Sequence, residues 1–465
     1  MSEQFDLIIV GSGPGGYVAA IRAAQLGMTV AVVEKDAKFG GTCLHRGCIP
    51  TKALLRTAGL LEEFRRSSEF GVDSAAPSLN IEGTRDFKAR VVDKNAKGIE
   101  YLFKKNGIRG IHGKGRLVGR HEVEVVGPAG NQTLWGRHLL IATGSVPREM
   151  SVAPTDGERI LNSDHILELP RVPESLVVLG AGAVGAELAS IFASFGSQVT
   201  LVEMLPRLLP MEDEEISKQL ARSFRKRRIR AQTSTRLTGT ESVDTGLRIT
   251  LEKEGGGQET LEAEMLLVAV GRAPATEDLG LSELGIRLDQ GYVEVNEFMQ
   301  TDIAHIYAIG DIVKTPWLAH VASAEGVLAA ENMAGQDARP LNYDHVPSVT
   351  YCDPEVGSVG LTEAQARERG YDVASGKFPF TALAKATIEG KTDGFVKVVR
   401  ETKYDELLGV HIIGPQATEL IAEACVALQI ESTTEELFRS IHAHPTLSEA
   451  VAEAAHAAVG RAIHL

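Results

Sequence analysis

Long apolar runs alternate with helical patterns through the first part of the chain. The run Phe5–Val10 is typical of a strand buried in a parallel sheet. It leads into a glycine-rich turn, a helical pattern over Tyr17–Leu26, and a second apolar run, Thr29–Val33, that ends at Glu34. This order of strand, turn, helix and strand predicts a parallel α/β fold.

The same order recurs later in the chain. Leu176–Leu179 predicts a strand, a helix follows through Phe195, and Val199–Val202 predicts a strand that ends at Glu203. Glu34 and Glu203 each follow the first glycine of their motif by 23 residues. The chain therefore contains two copies of one supersecondary unit, and we expect it to bind two dinucleotides.

Both turns carry the G-x-G-x-x-G spacing. Its first glycine permits a tight turn, the second lets a pyrophosphate approach the backbone, and the third allows close helix–strand packing. The helix N-terminus then faces the phosphates, and the acid can bond ribose hydroxyls. The candidate dinucleotide contacts are Gly11, Gly13, Gly16 and Glu34 in the first copy and Gly180, Gly182, Gly185 and Glu203 in the second.

The second acid bears on the choice of nicotinamide cofactor. A carboxylate bonds a free 2′-hydroxyl but repels a 2′-phosphate, so Glu203 favours NAD over NADP. Arg207 lies close by and could soften this preference, or it could be an ordinary solvated charge.

The rest of the chain contains two further segments with different patterns. An apolar strand stops at Gly310-Asp311, and a helix is predicted over Ala319–Met333 with His320 at its start. From about Pro347, short strands mix with helices without a glycine motif, which is typical of an α+β domain. We therefore expect an α/β protein with two Rossmann-like dinucleotide-binding domains and a C-terminal α+β domain, divided as 1–146, 147–273, 274–345 and 346–465.

The length, composition and net charge of the chain limit the kinds of partner that it can have. A length of 465 residues is too great for one core, and 43% hydrophobic and 24% charged residues are typical of a soluble globular protein. The net charge of −14 argues against nucleic acid or an anionic membrane surface as a partner. Because no apolar segment approaches about 18 residues and no leader precedes Phe5, we expect a cytoplasmic protein with no membrane association.

Two of the four cysteines stand close together. Cys43 and Cys48 are followed by Pro50 and Lys52, and the apolar spacing beyond predicts a helix that begins at the pair. A close approach of the two sulfurs requires a distorted turn, which Gly47 permits. The pair indicates redox chemistry or a metal site, although two cysteines that merely pack are the alternative. A helix N-terminus and Lys52 both favour a thiolate.

A histidine and an acid stand near the end of the chain. His444 precedes Pro445, and Glu449 follows five residues after the histidine. A carboxylate can orient an imidazole and stabilise its cation, as acid/base catalysis requires. An ordinary loop is the alternative for this segment.

Taken together, these motifs resemble the flavoprotein disulfide reductase family over essentially the whole chain. The cysteine stretch and the His-Pro run are the most specific, since the glycine motifs alone indicate only a flavoprotein with two dinucleotide sites. The matching segments are Gly11–Glu34, Gly41–Lys52, Ala142–Gly144, Gly180–Glu187, Ala308–Asp311, Leu318–His320 and His444–Glu449.

The resemblance implies FAD on the first fold, NAD on the second, and a homodimer. Cys43 would exchange with a dithiol substrate as one half of a redox-active disulfide, and Cys48 would lie against the flavin. His444, oriented by Glu449, would act on the disulfide of the other subunit, and its bond to Pro445 would be cis. Lys52 would pair with Glu187. Further implied FAD contacts are Thr42, Lys52, Gly115, Ala142, Thr143, Gly144, Asp311, Leu318, Ala319 and His320, and further NAD contacts are Glu187 and Gly271.

The implied activity is oxidation of dihydrolipoyl groups with reduction of NAD⁺, on the lipoyl domains of 2-oxo acid dehydrogenase complexes. One alternative is an NAD(P)H-dependent reductase of another low-molecular-weight disulfide, of the glutathione or mycothiol kind; Glu203 weakens the glutathione version. A second alternative is a scaffold that holds nucleotides without catalysis, which the complete set of candidate catalytic residues disfavours. One departure from the family pattern is His45-Arg46 in place of Asn-Val, which adds possible charge near the flavin.

Overall fold

The computed structural model describes residues 3–465 and divides the chain into two compact units. The first comprises the residues up to Ala53, 82–148 and 272–343. The second comprises residues 54–81, 149–271 and 344–465. The division into four segments stays a prediction.

The first unit is built on a seven-stranded sheet whose central strands are parallel. Leu7, Ile8 and Ile9 are fully buried, as expected for a strand covered on both faces. The strand order is Arg109–His112, Val30–Glu34, Glu3–Val10, Gly130–Ile141, Glu122–Gly127 and Lys114–Gly119, with Ile306–Ala308 also paired to Gly130–Ile141. Two short pairs are Ser145–Pro147 with Arg272–Pro274 and Leu288–Asp289 with Tyr292–Val293.

Helices cover this sheet, and several of them contain candidate dinucleotide-binding residues. The helices Pro14–Gln25 and Ala319–Met333 pack closely because glycines face each other: a Cβ on Gly326 would lie 2.6 Å from the Gly15 carbonyl oxygen. The other helices in or starting in this unit are Gly41–Arg46, Cys48–Arg65, Ile81–Lys105 and the 3₁₀ turns Gly310–Ile312 and Tyr343–His345.

The second unit contains a parallel sheet, a three-stranded meander and a five-stranded antiparallel sheet. The parallel order is Arg230–Gln232, Gln198–Val202, Ser175–Leu179, Met265–Val268 and Ile160–Leu161. The meander is Thr235–Val243, Gly246–Lys253 and Gly257–Ala263. The antiparallel order is Ser348–Thr350, Glu355–Gly360, Leu407–Gly414, Phe395–Glu401 and Val373–Pro379.

Helices pack on the sheets of this second unit. They are Ser163–Ile166, Ala183–Phe195, Glu214–Lys226, Glu363–Glu368, Ala384–Ile388, Ala417–Gln429, Thr434–Arg439 and Glu449–Ala458, with 3₁₀ turns at Ser67–Phe70 and Phe380–Ala382.

The two predicted α/β copies have the same backbone connections. Gly11 N–H donates to the Val33 carbonyl oxygen at 2.8 Å, and Gly180 N–H donates to that of Val202 at 2.8 Å. Each first glycine has a positive φ, 105° and 101°, which a residue with a Cβ rarely adopts. The mixture of parallel α/β folds with a C-terminal antiparallel sheet confirms the predicted fold class.

A buried ion cluster joins the second glycine fold to the C-terminal sheet within the second unit. Lys397, on a central strand, is 2% exposed. Its ammonium donates to the two carboxylate oxygens of Asp213, at 3.2 and 3.0 Å, and lies 2.9 Å from Glu363. Burial opposes the charge on Lys397, but these carboxylates raise its pKa overall. The stability of the cluster therefore depends on the presence of both the Lys397 ammonium and the carboxylates around it.

We expect Lys397→Met to lower the free energy of unfolding by about 3–5 kcal/mol, because it leaves a buried carboxylate without its counter-charge. Urea unfolding measures the loss. The control is Lys218→Met, which removes an exposed ammonium that lies 2.6 Å from Glu214 on one helix, and the urea midpoint should barely move. Equal small effects of the two substitutions would contradict this account of the cluster.

Candidate active site

The cysteine pair lies at a break between two helices. Cys43 is on the short helix Gly41–Arg46, and Cys48 is the first residue of the helix Cys48–Arg65. Gly47 separates them with φ −137° and ψ −112°, far from helical values. This agrees with the expected distorted turn, and it lets residues five positions apart come together.

The side chains of Cys43 and Cys48 are hydrogen-bonded to each other. This bond and the burial of Cys43 raise the pKa of the Cys43 thiol, and the positive charge of Lys52 opposes that rise more weakly. Cys43 therefore keeps its proton and donates it to the second sulfur.

The start of the cysteine stretch lies directly on the first glycine loop. A Cβ on Gly41 would lie 2.6 Å from the Cα of Gly13. The Ser12 hydroxyl accepts a bond from Gly40 N–H at 3.0 Å and donates one to Glu34 at 2.5 Å. Motif spacing does not predict this role of Ser12; a hydroxyl directly after the first glycine is its only local signal.

Each acid of the two copies holds its own glycine loop. Glu34 Oε2 accepts a bond from Ser12 N–H at 2.9 Å, and Glu203 Oε2 accepts the equivalent bond from Ala181 N–H at 2.7 Å. The Oε1 atoms accept bonds from the backbone N–H two residues further along, at 2.9 and 2.8 Å. A carboxylate offers about four acceptor positions, so some remain for ribose hydroxyls. The ribose contacts themselves stay a prediction.

The glycine loops fit a dinucleotide because they are packed on one side and open on the other. A Cβ on Gly16 would lie 2.0 Å from the Gly11 carbonyl oxygen, and the third glycine of the second copy has the same clash at 1.9 Å. In contrast, no described atom lies within 4 Å of a Cβ on Gly13 or Gly182. These two residues are helix N-caps, and as glycines they have no side chain that could cap the helix. The open space at a helix N-terminus suits a pyrophosphate.

Asp311 lies beyond the carboxyl end of the strand Ile306–Ala308, where ligands bind in such sheets. It accepts a bond from the Ser145 hydroxyl at 2.5 Å. The neighbouring Gly310 N–H donates at 2.7 Å to Glu325, a fully buried carboxyl whose pKa burial raises. Glu325 thus fixes the backbone that carries Asp311, a role that the motif spacing does not predict.

Two other first-unit candidates, Ala142 and Gly115, pack on the strands that flank the glycine loop. Ala142 N–H donates to the Val10 carbonyl oxygen at 2.8 Å, which closes one side of the glycine turn. Gly115 lies where a Cβ would be 3.1 Å from both Val10 and Val33, so its backbone packs closely on the central strands. The remaining candidates are Thr42, Lys52, Thr143, Gly144, Leu318, Ala319 and His320. Their contacts with FAD stay predictions.

The remaining candidates for NAD lie in the second unit. Glu187 is buried on the helix Ala183–Phe195 and accepts a bond from Tyr351 N–H at 2.9 Å. Gly271 follows the strand Met265–Val268. The pairing of Glu187 with Lys52 stays a prediction.

His444 and Glu449 form a hydrogen-bonded pair. His444 Nδ1 lies 2.8 Å from Glu449 Oε1, and the other Glu449 oxygen accepts a bond from Thr446 N–H at 2.8 Å. Burial opposes ionisation of Glu449, but the bonds from Thr446 and His444 lower its pKa overall. An ionised carboxylate fixes the proton on Nδ1, so Nε2 of this 73% exposed side chain can accept one. The bond from His444 to Pro445 is cis.

The two residues that depart from the family pattern are held by neighbouring protein groups. His45 Nε2 lies 2.9 Å from the Phe39 carbonyl oxygen. The Arg46 guanidinium pairs with Asp36 at 2.7 Å. The charge of Arg46 is therefore compensated within the first unit.

Sequence comparison gives matches over nearly the whole chain. Residues 5–326 match the pyridine nucleotide-disulphide oxidoreductase family, and residues 346–455 match the dimerisation domain of that family. The chain is 44% identical to a dihydrolipoyl dehydrogenase of Bacillus subtilis and 42% identical to one of Zymomonas mobilis, covering all of both chains in each case.

A solved structure has the same fold. The crystal structure of LpdA from Mycobacterium tuberculosis is similar with a TM-score of 0.91 and 28% identity, over 98% of this chain and 99% of that one. No helix among residues 3–465 is both long and apolar enough to cross a membrane. No cluster of three or more potential metal ligands occurs among the same residues.

These matches confirm the predicted oxidoreductase class and the predicted cofactors, FAD and NAD. The match to the dimerisation domain supports the predicted homodimer. With its two glycine folds, its cysteine pair and matches that cover most of its length, the chain belongs to the pyridine nucleotide-disulphide oxidoreductase family.

Proposed function

We propose that the chain oxidises dihydrolipoyl groups to lipoyl groups and reduces NAD⁺ to NADH through Cys43, Cys48 and FAD. The observation that carries this proposal is the hydrogen-bonded cysteine pair seated on the first glycine loop. A pair placed there can exchange with a dithiol and lie beside a dinucleotide. The full-length similarity to dihydrolipoyl dehydrogenases favours this activity over reduction of another small disulfide.

The first step needs a base and a cysteine sulfur that the substrate thiolate can attack. His444, oriented by Glu449, takes a proton from one thiol of the dihydrolipoyl group, and the resulting thiolate attacks Cys43 of the oxidised pair. The bond between Cys43 and Cys48 breaks, and Cys48 leaves as a thiolate. The second substrate thiol then displaces Cys43 and loses its proton, which releases lipoyl and leaves both cysteines reduced. Two electrons and two protons leave the substrate.

The second step removes these electrons from the cysteines. When bound, FAD supplies a two-electron acceptor that returns a hydride to NAD⁺. Gly11, Gly13, Gly16 and Glu34 would hold its adenine-nucleotide part, and Asp311 would bond its ribityl chain. Cys48, which leaves as a thiolate when the substrate attacks Cys43, would carry the negative charge.

NAD rather than NADP is the proposed acceptor. Glu203 is anchored by two backbone N–H groups, so its carboxylate is fixed at the end of its strand. The Arg207 guanidinium donates to the Pro210 carbonyl oxygen at 2.9 and 3.2 Å, which ties it to its own loop. This bond supports the view that Arg207 does not offset the repulsion of a 2′-phosphate by Glu203.

The proposed partners are a second copy of the chain and the lipoyl domains of 2-oxo acid dehydrogenase complexes. In the homodimer, His444 would act on the cysteine pair of the other subunit. The proposed location is the cytoplasm.

The purified holoenzyme should reduce NAD⁺ with dihydrolipoamide, and Cys48→Ser should abolish this turnover while FAD stays bound. The control is Cys425→Ser, which changes a half-buried cysteine outside the pair and should keep full turnover. NADH formation at 340 nm and the flavin spectrum measure the two outcomes. Activity only with glutathione disulfide and NADPH would overturn the proposed function.

His444→Gln should lower kcat for dihydrolipoamide by roughly 10²–10⁴-fold, which is the usual contribution of a positioned general base. Reduction of a one-electron dye by NADH does not need that base, so it should stay near the wild-type rate. Parallel steady-state assays compare the two reactions. Equal losses in both would show that His444 supports the fold rather than thiol exchange.

Gly13→Val and Gly182→Val should separate the two nucleotide sites. Both backbones have φ and ψ values that valine can adopt, and both Cβ positions are open, so each variant should fold. In each variant the valine methyl groups would occupy the position of the pyrophosphate. Gly13→Val should therefore yield a colourless protein without FAD. Gly182→Val should keep FAD and raise the KM for NAD⁺ by at least roughly tenfold. Flavin absorbance and kinetics measure these outcomes, and loss of flavin from both variants would contradict the assignment.

A further inference from the structure

A second imidazole–carboxylate pair lies two residues before His444. His442 Nε2 is 2.7 Å from Glu423 Oε1, and its Nδ1 is 2.8 Å from the Ser440 carbonyl oxygen. The His442 side chain is 10% exposed, whereas that of His444 is 73% exposed. The proposed mechanism uses the exposed histidine and leaves the enclosed one without a role.

The hydrogen bonds fix the protonation state of His442. A carbonyl oxygen can only accept, so Nδ1 must carry a proton. An ionised carboxylate also only accepts, so Nε2 must carry one as well. Both ring nitrogens of His442 are therefore protonated, and the side chain is an imidazolium. Its pKa is raised, first by the bond to Glu423, although burial acts against the charge.

The pair also connects two parts of the second unit. Glu423 is on the helix Ala417–Gln429, and His442 is on the loop between the helices Thr434–Arg439 and Glu449–Ala458. This loop carries His444. A charge-assisted bond between the helix and the loop limits the movement of that imidazole.

The charged groups around His442 come from three segments. Glu423 faces it from its helix, Glu449 from the start of the last helix, and the His444 imidazole lies on the same loop as His442 and bonds Glu449. The positive charge of His442 contributes to the lowered pKa of Glu449.

We propose that His442, held as an imidazolium between Glu423 and the Ser440 carbonyl, is a positioning residue that fixes the His444 loop on the helix Ala417–Gln429. It does not touch the substrate. This inference rests on the proposed function, because His444 is the base whose position it would control.

The test compares variants of the pair in the holoenzyme. His442→Ala and Glu423→Ala each remove the bond and should lower kcat/KM for dihydrolipoamide about tenfold, since small misplacement of a catalytic group is costly. Glu423→Gln keeps an acceptor oxygen and should retain most of the activity. The double variant should fall no further than either single variant, because both remove the same bond.

Two further readouts separate positioning from mere support of the fold. Dye reduction by NADH and the melting temperature should stay close to wild type. The control is His464→Gln, which breaks an exposed pair with Glu453 of similar length, 2.7 Å, and should change nothing.

Specific outcomes would overturn the inference. Unchanged kcat/KM in His442→Ala and Glu423→Ala would overturn the positioning role. Equal losses in dye reduction would show that the pair only supports the fold. Absence of dihydrolipoamide oxidation by the wild type would instead overturn the proposed function. In that case the rate of Cys43 alkylation by iodoacetamide in the reduced protein still reports the base, and an unchanged rate in His442→Ala would overturn this inference separately.

Discussion

The candidate FAD site depends on the two hydrogen bonds of the Ser12 hydroxyl. The hydroxyl donates to Glu34 and accepts from the backbone of Gly40, so one buried oxygen joins the glycine loop, the acid at the end of the next strand and the start of the cysteine stretch. Such a buried polar network holds its members tightly only when each is satisfied. The packing of Gly41 against Gly13 completes the junction, because a Cβ on Gly41 would lie 2.6 Å from the Gly13 Cα. The cysteine pair is therefore fixed relative to the cradle for a dinucleotide.

The second copy shows which part of this arrangement is specific to redox chemistry. Ala181 makes the same backbone bond to Glu203 that Ser12 makes to Glu34, but it has no hydroxyl. The second loop can thus hold a dinucleotide and its own acid, yet it cannot fasten a further segment in the same way. The two folds therefore differ in one side chain at this position. The fold with Ser12 carries the cysteines, and the fold with Ala181 supplies only a nucleotide site.

The sequence predicts the local features of this molecule well and the long-range ones poorly. Glycine spacing, apolar strands and the helix at Cys48 depend on neighbours along the chain, and the structure has them where the patterns indicate. Ser12, Glu325 and His442 act through partners 28, 15 and 19 residues away, which no motif spacing identifies. For the same reason, the charge of Arg46 looks unbalanced in the sequence, although Asp36 compensates it in the folded chain.

The central claim is that electrons pass from a dithiol to NAD⁺ through Cys43 and Cys48. The most direct measurement is a thiol count on the holoenzyme during a single anaerobic turnover. Dihydrolipoamide alone should make two cysteines reactive toward iodoacetamide, both within the peptide that contains Cys43 and Cys48. Addition of NAD⁺ before the alkylating agent should protect both cysteines and release one NADH for each pair. NADH formation without any change in the reactivity of these two cysteines would contradict the account.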